Sequence, residues 1–147
     1  MKKSKTVPPA ANWMPAAEYG RSLPAFTVNL LVVDVAAGVE FYQSVLGARC
    51  HYSDVDFAAL NVHGAEIMLH ADHTYDGHPL ADALSTGERR GLGAEMRIFG
   101  LDPDATEAAA KKFGSVVVQA AEDKPHGWRE VMIADPDGYV WAVGVAI

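Results

Sequence analysis

The feature that most constrains the fold is an internal repeat, in which one order of predicted elements occurs twice. In each half a strand leads into a helix of similar length, and a glycine ends the helix, Gly47 in the first half and Gly114 in the second. Three short strands follow each helix. The order βαβββ, given twice, predicts two copies of one α+β module.

The first module is predicted over residues 25–70. Residues 26–33 are rich in β-branched side chains and predict a strand, and apolar residues at helical spacing in 36–46 predict a helix. The three short strands are expected at 49–52, 56–62 and 65–70. Gly64 supplies the tight turn between the last two of them.

The second module is predicted over residues 93–147. A strand is expected at 94–99 and an alanine-rich helix at 104–113. The three short strands are expected at 115–120, 128–134 and 139–145. The Asp-Pro-Asp-Gly sequence at 135–138 predicts the turn between the last two.

The remaining segments are predicted to be irregular. Residues 71–92, rich in turn-forming residues, are expected to be the loop that joins the modules, and residues 1–24 an N-terminal arm. Trp13 and Tyr19 are expected to anchor that arm to the body of the protein or to a second subunit. Residues 25–147 are short enough to form a single domain.

Composition excludes several classes of function. The net charge of −7 argues against a nucleic-acid partner, because phosphate binding needs clustered Lys and Arg. No apolar run is long enough for a membrane span, and the lysine-rich start leads into Pro8 and Pro9 instead of an apolar signal region, which predicts a cytoplasmic protein. The single cysteine, Cys50, cannot form a disulfide framework.

Several motifs resemble the vicinal-oxygen-chelate superfamily, which contains glyoxalase I, bleomycin-resistance proteins and extradiol dioxygenases. They are Val33-Asp34-Val35, Glu40-Phe41-Tyr42, Val45-Leu46-Gly47, Gly127-Trp128-Arg129-Glu130 and the segment 135–141. The resemblance covers almost everything from Phe26 to the C-terminus. It implies that the two modules form a cupped mixed sheet with helices on its outer face and a site inside the cup.

The resemblance also implies where metal ligands would stand. Metal-dependent members carry one His or Glu on the first and on the last strand of each module. In this sequence those positions fall on Thr27, on Met68 or His70, on Glu95 (or Ala94, one residue away), and on Ala142. Threonine and alanine are not useful ligands for a divalent transition metal. No cofactor is therefore expected. The alternative is one Zn, Ni, Mn or Fe ion held by His70 and Glu95, with His73 or His78 as a further ligand.

The side chains expected to line the cup favour binding of a small molecule. Strand alternation places Thr27 and Asn29 on one face of the first strand, and Glu95 and Arg97 on one face of the strand that opens the second module. The predicted ligand-binding residues are Thr27, Asn29, His70, Glu95, Arg97, Trp128 and Trp141. Aromatic walls with a few fixed polar groups suit a planar or amphipathic ligand.

Three functions remain open. The first is a metal-independent small-molecule-binding protein, similar to metal-free bleomycin-resistance members, which sequester an antibiotic in a groove formed by a homodimer. The second is a metal-dependent lyase, isomerase or dioxygenase with a rearranged metal site. The third is a metal-free enzyme in which Glu95 or His70 acts as the general base.

Overall fold

The computed structural model describes residues 13–147. Within them the chain divides into two compact units. The first runs to Gln43 and resumes over Ala48–Gly87, and the second comprises Ser44–Gly47 and Glu88–Ile147. Each unit contains one four-stranded mixed sheet. The predicted α+β architecture of two βαβββ modules is confirmed.

The first sheet has the strand order β1-β4-β3-β2. Strand β1 runs parallel to β4, and the other neighbours are antiparallel. The elements are α1 (Ala16–Ser22), β1 (Val28–Val32), α2 (Val35–Leu46), β2 (Arg49–Ser53), β3 (Phe57–Val62) and β4 (Ala65–Ala71). The turn between β3 and β4 has positive φ at His63 and Gly64, as a two-residue hairpin turn requires.

The second sheet repeats this topology with the order β5-β8-β7-β6. Its elements are β5 (Glu95–Phe99), α4 (Pro103–Phe113), β6 (Val117–Lys124), β7 (Trp128–Ala134) and β8 (Val140–Ala146). Asp102 caps α4 by accepting from the amides of Asp104 and Ala105, and Gly114 ends the helix in the left-handed conformation. Asp135 Oδ1 accepts from the amides of Asp137 and Tyr139 and so fixes the turn into β8.

The first sheet presents two different faces. Helix α2 packs on the face that carries Leu69, and the fit is close, since a Cβ at Gly38 would lie 2.8 Å from Leu69 Cδ1. We call the opposite face the His70 face. Register pairing places the following residues on it: Asn29, Leu31, Phe57, Ala59, Asn61, Glu66, Met68 and His70.

The second sheet shows the same division. Ile98, Ile133, Trp141 and Val143 share one face and are buried. We call the other face the Arg97 face. Its residues include Glu95, Arg97, Phe99, Trp128, Glu130, Met132, Val140, Ala142 and Gly144.

The structure adds ordered elements to the segments predicted to be irregular. Helix α1 lies inside the predicted arm, and residues 1–12 of that arm fall outside the described part of the chain. The predicted loop 71–92 contains a short 3₁₀ turn, Asp72–Tyr75, and helix α3, Ala81–Leu84. These helices are too short to be stable alone, so they depend on tertiary contacts that sequence patterns do not show. Across residues 13–147, no helix is long and apolar enough to cross a membrane.

Candidate functional site

His70, on β4, is held in one orientation by a polar neighbour. Its Nδ1 lies 2.6 Å from Asn29 Oδ1, and Asn29 Nδ2 donates to the Tyr75 hydroxyl at 3.3 Å. Because an amide oxygen only accepts, the Nδ1 of His70 carries the proton in this bond. Asn29 therefore fixes both the tautomer and the ring orientation of a histidine that is only 6% exposed.

Aromatic rings surround His70. The ring centroid of Phe57 lies 4.8 Å from that of His70, and Tyr75 packs edge-on at 5.1 Å. Tyr75 in turn contacts His78 at 5.6 Å. Sequence analysis identified Asn29 and His70, but it missed Phe57 and Tyr75. Tyr75 comes from the segment that was predicted to be a loop.

The histidine-rich stretch 70–78 does not converge on one point. His73 Nε2 lies 2.6 Å from Oδ1 of Asp56, whose side chain is almost completely buried. His78 Nδ1 accepts from the backbone amide of Leu80 at 3.0 Å. Each histidine thus has its own partner. In the part of the chain that the structure describes, no group of three or more His, Cys, Asp or Glu side chains is placed to hold a metal ion.

Thr27, the first family ligand position, has a structural contact. Its hydroxyl donates to the backbone carbonyl of Glu66 at 2.5 Å, just before β1 begins. This bond continues the β1–β4 pairing beyond the end of the strand. Thr27 lies next to the His70 face, and its hydroxyl is already bonded to the backbone.

Arg97 organises the polar groups of the second sheet. Its Nη1 donates to Glu95 Oε1 at 2.5 Å, and its Nη2 donates to Glu130 Oε2. The hydrogen bond to Glu95 is the main cause that raises the pKa of Arg97 above its ordinary value. Glu130 is 6% exposed, so this ion pair reaches from the surface into the protein. Sequence analysis missed Glu130, because its approach to Arg97 depends on the strand order.

An aromatic pair lies beside this cluster. The rings of Phe99 and Trp128 are 4.9 Å apart, and the Arg97 guanidinium carbon lies 5.8 Å from the Phe99 centroid. Phe99 is 61% exposed, although it belongs to a strand. An exposed aromatic surface next to a fixed guanidinium can stack against a planar ligand.

Trp141 does not belong to this surface, and its predicted place in the binding wall is corrected. It is in register with Met96 and Ile133, on the face opposite Arg97, and is only 4% exposed. Strand alternation explains the difference, since its neighbour Ala142 is the residue in register with Arg97.

Helix α1 and Trp13 pack on the His70 face of the first sheet. The Trp13 ring stacks on Tyr52 at 5.4 Å, and Tyr19 contacts Phe57 at 5.7 Å. Tyr19, Tyr52, Phe57 and Ala59 form a buried cluster there. Within the described residues, Trp13 and Tyr19 therefore anchor helix α1 to the sheet of the first unit.

Tyr19 should make stability depend on alkaline pH. Burial raises the pKa of its hydroxyl from 10.0 to about 12, and the negative charge of Glu66 adds to the shift. The unfolded chain releases this proton at the lower pH and the folded chain at the higher one. We therefore expect the free energy of unfolding to fall between pH 10 and about 12, and to fall less in Tyr19→Phe. Urea titrations at several pH values check this. Parallel curves for the two proteins would contradict it.

Comparison with known proteins agrees with the repeated topology. Residues 25–143 match the Glyoxalase/Bleomycin resistance protein/Dioxygenase superfamily. An uncharacterised protein from Mycobacterium bovis is 31% identical over an alignment of 128 residues, and the match covers 82% of this chain and 82% of that one. Among solved structures, a glyoxalase/bleomycin resistance protein/dioxygenase family enzyme from Burkholderia phytofirmans has a TM-score of 0.66 at 20% identity, covering 82% of this chain and 97% of that one. The fosfomycin resistance protein FosX from Listeria monocytogenes has a TM-score of 0.64 at 15% identity, covering 84% and 93%.

The two βαβββ modules define the class of the protein as an α+β chain of the vicinal-oxygen-chelate type. The chain belongs to the glyoxalase/bleomycin resistance protein/dioxygenase superfamily. The resemblance seen in the sequence motifs is confirmed. The likeness to the solved structures, at this level of identity, extends to the fold.

Proposed function

We propose that this protein binds a small organic molecule without a metal ion. The observation that carries the proposal is the ion pair of Glu95 with Arg97, because Glu95 stands at the family ligand position on β5. Its carboxylate is bonded to Arg97 at 2.5 Å, and Ala142, at another ligand position, lies in register with Arg97. The second sheet thus has a guanidinium and a methyl group at the place where a metal would need ligands.

Electrostatics argues against a cation at Glu95. A divalent ion there would have to displace the Arg97 guanidinium or stand close to it, and two like charges a few ångströms apart repel strongly at a partly buried site. On the first sheet, Thr27 stands at a family ligand position and donates its hydroxyl to a backbone carbonyl. Thr27 and Ala142 do not fit the metal-binding pattern of the superfamily.

The Arg97 face favours a planar ligand. Phe99 and Trp128 supply aromatic surface, and the guanidinium, about one third exposed, supplies hydrogen-bond donors at its edge. The two carboxylates that flank Arg97 offset its charge, so shape and stacking contribute more to selectivity than net charge does. FosX, which shares the fold, is a fosfomycin resistance protein, and antibiotics are therefore a reasonable first ligand class to test.

A second candidate is a metal-free enzyme that uses His70 as its general base. The supporting observation is the hydrogen bond from His70 Nδ1 to Asn29, because a donor bond at Nδ1 leaves Nε2 as the basic nitrogen. In this arrangement His70 is the base and Asn29 is the residue that orients it. Activity that is lost in His70→Gln and reduced in Asn29→Ala would favour this candidate.

The state of association belongs to the same proposal. We propose a cytoplasmic homodimer, as family resemblance implies. Strands β1, β2, β5 and β6 are at the edges of their four-stranded sheets, and an edge strand carries backbone groups that a second subunit can pair.

Elemental analysis combined with ligand screening tests the proposed function. We expect less than stoichiometric metal in untagged protein, and no change of melting temperature on addition of zinc, nickel, manganese or iron(II). We expect planar antibiotics to raise the melting temperature of wild type, and Trp128→Ala to reduce that shift because half of the aromatic pair is lost. Lys112→Ala, on an exposed part of α4, is the control and should respond like wild type.

One equivalent of bound metal that is lost in both His70→Ala and Glu95→Ala would contradict the proposal. It would favour the metal-dependent lyase, isomerase or dioxygenase instead.

A further inference from the structure

A pocket of about 220 Å³ lies between α1 and the His70 face of the first sheet. We call it the arm pocket. Its lining includes Trp13, Met14, Tyr19, Leu23, His51 and Glu66. Drug-sized ligands usually occupy roughly 300–1,000 Å³, so the arm pocket suits a smaller molecule.

A β-bulge builds one wall of the arm pocket. The register between β2 and β3 shifts between Cys50 and Tyr52, so that His51 is the extra residue. A bulge turns neighbouring side chains toward the same face, and both His51 and Tyr52 stack against Trp13, at 6.2 and 5.4 Å. The bulge thus adds an imidazole to a wall that is otherwise aromatic and apolar.

The Tyr19 hydroxyl is a buried polar group without a hydrogen-bond partner among the described residues. Tyr19 is 8% exposed, and its ring packs between Trp13 and Phe57. An unsatisfied buried hydroxyl is costly and uncommon in folded proteins. Tyr19 belongs to the lining of the arm pocket, and the charge of Glu66, another lining residue, acts on its hydroxyl. A molecule that enters the pocket can therefore supply the missing partner.

Glu66 supplies negative charge to the same pocket. Its carboxylate accepts from Asn61 Nδ2 at 2.7 Å and from His51 Nε2 at 3.1 Å. An ionised carboxylate has about four acceptor sites, so it can accept further bonds from a ligand. The charge also disfavours anionic ligands.

We propose that the arm pocket binds a small organic cation. The ammonium group of the ligand lies between the Glu66 carboxylate and the Tyr19 hydroxyl oxygen, and its apolar body packs against Trp13, Met14 and Leu23. Charge-assisted hydrogen bonds and contact of the cation with an aromatic ring both favour this class of ligand. The inference goes beyond the proposed function, because every residue that it uses belongs to the first unit.

Calorimetric titration of the 147-residue protein tests this inference. The probe is 2-phenylethylamine, and 2-phenylethanol is its neutral counterpart of nearly the same shape. We expect the amine to bind at least about tenfold more tightly than the alcohol, which corresponds to one charge-assisted bond. In ¹H–¹⁵N spectra the amine should shift the Trp13 indole signal and the Glu66 amide.

Three variants locate the binding site. Glu66→Gln should weaken amine binding at least about tenfold, and Tyr19→Phe should weaken it while the unliganded protein stays folded, because only an unpartnered hydroxyl is removed. Glu18→Gln is the matched control. It removes the same charge from an exposed position on α1 and should bind like wild type.

Several results would overturn the inference. They are no heat of binding at about 10 mM amine, equal affinity for amine and alcohol, or unchanged affinity in both Glu66→Gln and Tyr19→Phe. Spectral shifts confined to Phe99 and Trp128 would also overturn it. They would place the amine on the Arg97 face and leave the proposed function intact.

Discussion

Replacing Gly144 with alanine is expected to lower the free energy of unfolding by about 3 kcal/mol. A Cβ at this position would lie 2.7 Å from the backbone carbonyl oxygen of Arg129 and 3.4 Å from Glu130 Cβ. The clash is with the backbone of β7, so it cannot be relieved by rotating a side chain. The neighbouring strand must move, and the β7–β8 pairing from Trp128 to Ala134 weakens with it.

Urea denaturation followed by far-UV circular dichroism measures this effect. Gly93→Ala is the matched control, because a Cβ there meets no described atom within 4 Å and the backbone is not left-handed. We expect that control to stay within about 0.5 kcal/mol of wild type. Equal destabilisation of the two variants would show that loss of glycine, and not the contact with Arg129, is responsible.

The consequence of Gly144→Ala extends to the candidate site. Gly144 is in register with Glu130 and with Phe99, so it lies beneath both the ion pair and the aromatic pair of the Arg97 face. Movement of β7 would displace Glu130 from Arg97. Ligand binding on that face should therefore weaken more than the loss of stability alone predicts.

Replacing Arg97 with methionine is expected to destabilise the protein by about 2 to 3 kcal/mol. The substitution leaves the buried Glu130 carboxylate without the guanidinium that it contacts. Methionine keeps most of the apolar length of the side chain, so the loss comes from the unpaired charge and not from a cavity. The partial exposure of Arg97 keeps the expected cost below that of a fully buried pair.

A double-mutant cycle separates the ion pair from other effects of Arg97→Met. Arg97→Met combined with Glu130→Met removes both partners, and we expect most of the lost stability to return. Lys111→Met is the matched control, since the Lys111 side chain is 64% exposed and pairs with Glu107 one turn away on the same helix. Removing it should cost less than about 0.5 kcal/mol. An additive double mutant would show that Arg97 and Glu130 are not coupled.

The arm illustrates a limit of sequence patterns. Residues 16–22 contain good helix formers after Pro15, but a seven-residue segment carries too little periodicity to predict a helix. The burial of Tyr19 against Phe57 supplies the missing stability. Such support comes from residues distant in the chain, and no local signal identifies it.

The sequence alone was sufficient to place Trp141 on the face of β8 opposite Ala142. It is adjacent to Ala142, which the family pattern places on the inner face, and successive strand residues point to opposite faces. Strand alternation alone therefore places the side chains of Trp141 and Ala142 on opposite faces of the sheet. Trp128 has the same parity as Glu130 and does lie on the Arg97 face.

The sequence by itself determined the two βαβββ modules and their glycine-ended helices, and the family resemblance assigned ligand positions to Thr27 and Ala142, neither of which is a useful metal ligand. The modules and the helix ends follow from local periodicity and turn chemistry, which act over a few neighbouring residues. Only the tertiary structure decided that Arg97 reaches both Glu95 and Glu130, that His73 contacts Asp56, and that a bulge turns His51 toward Trp13. Strand order and register bring these groups together, and both are set by packing between residues far apart in the chain.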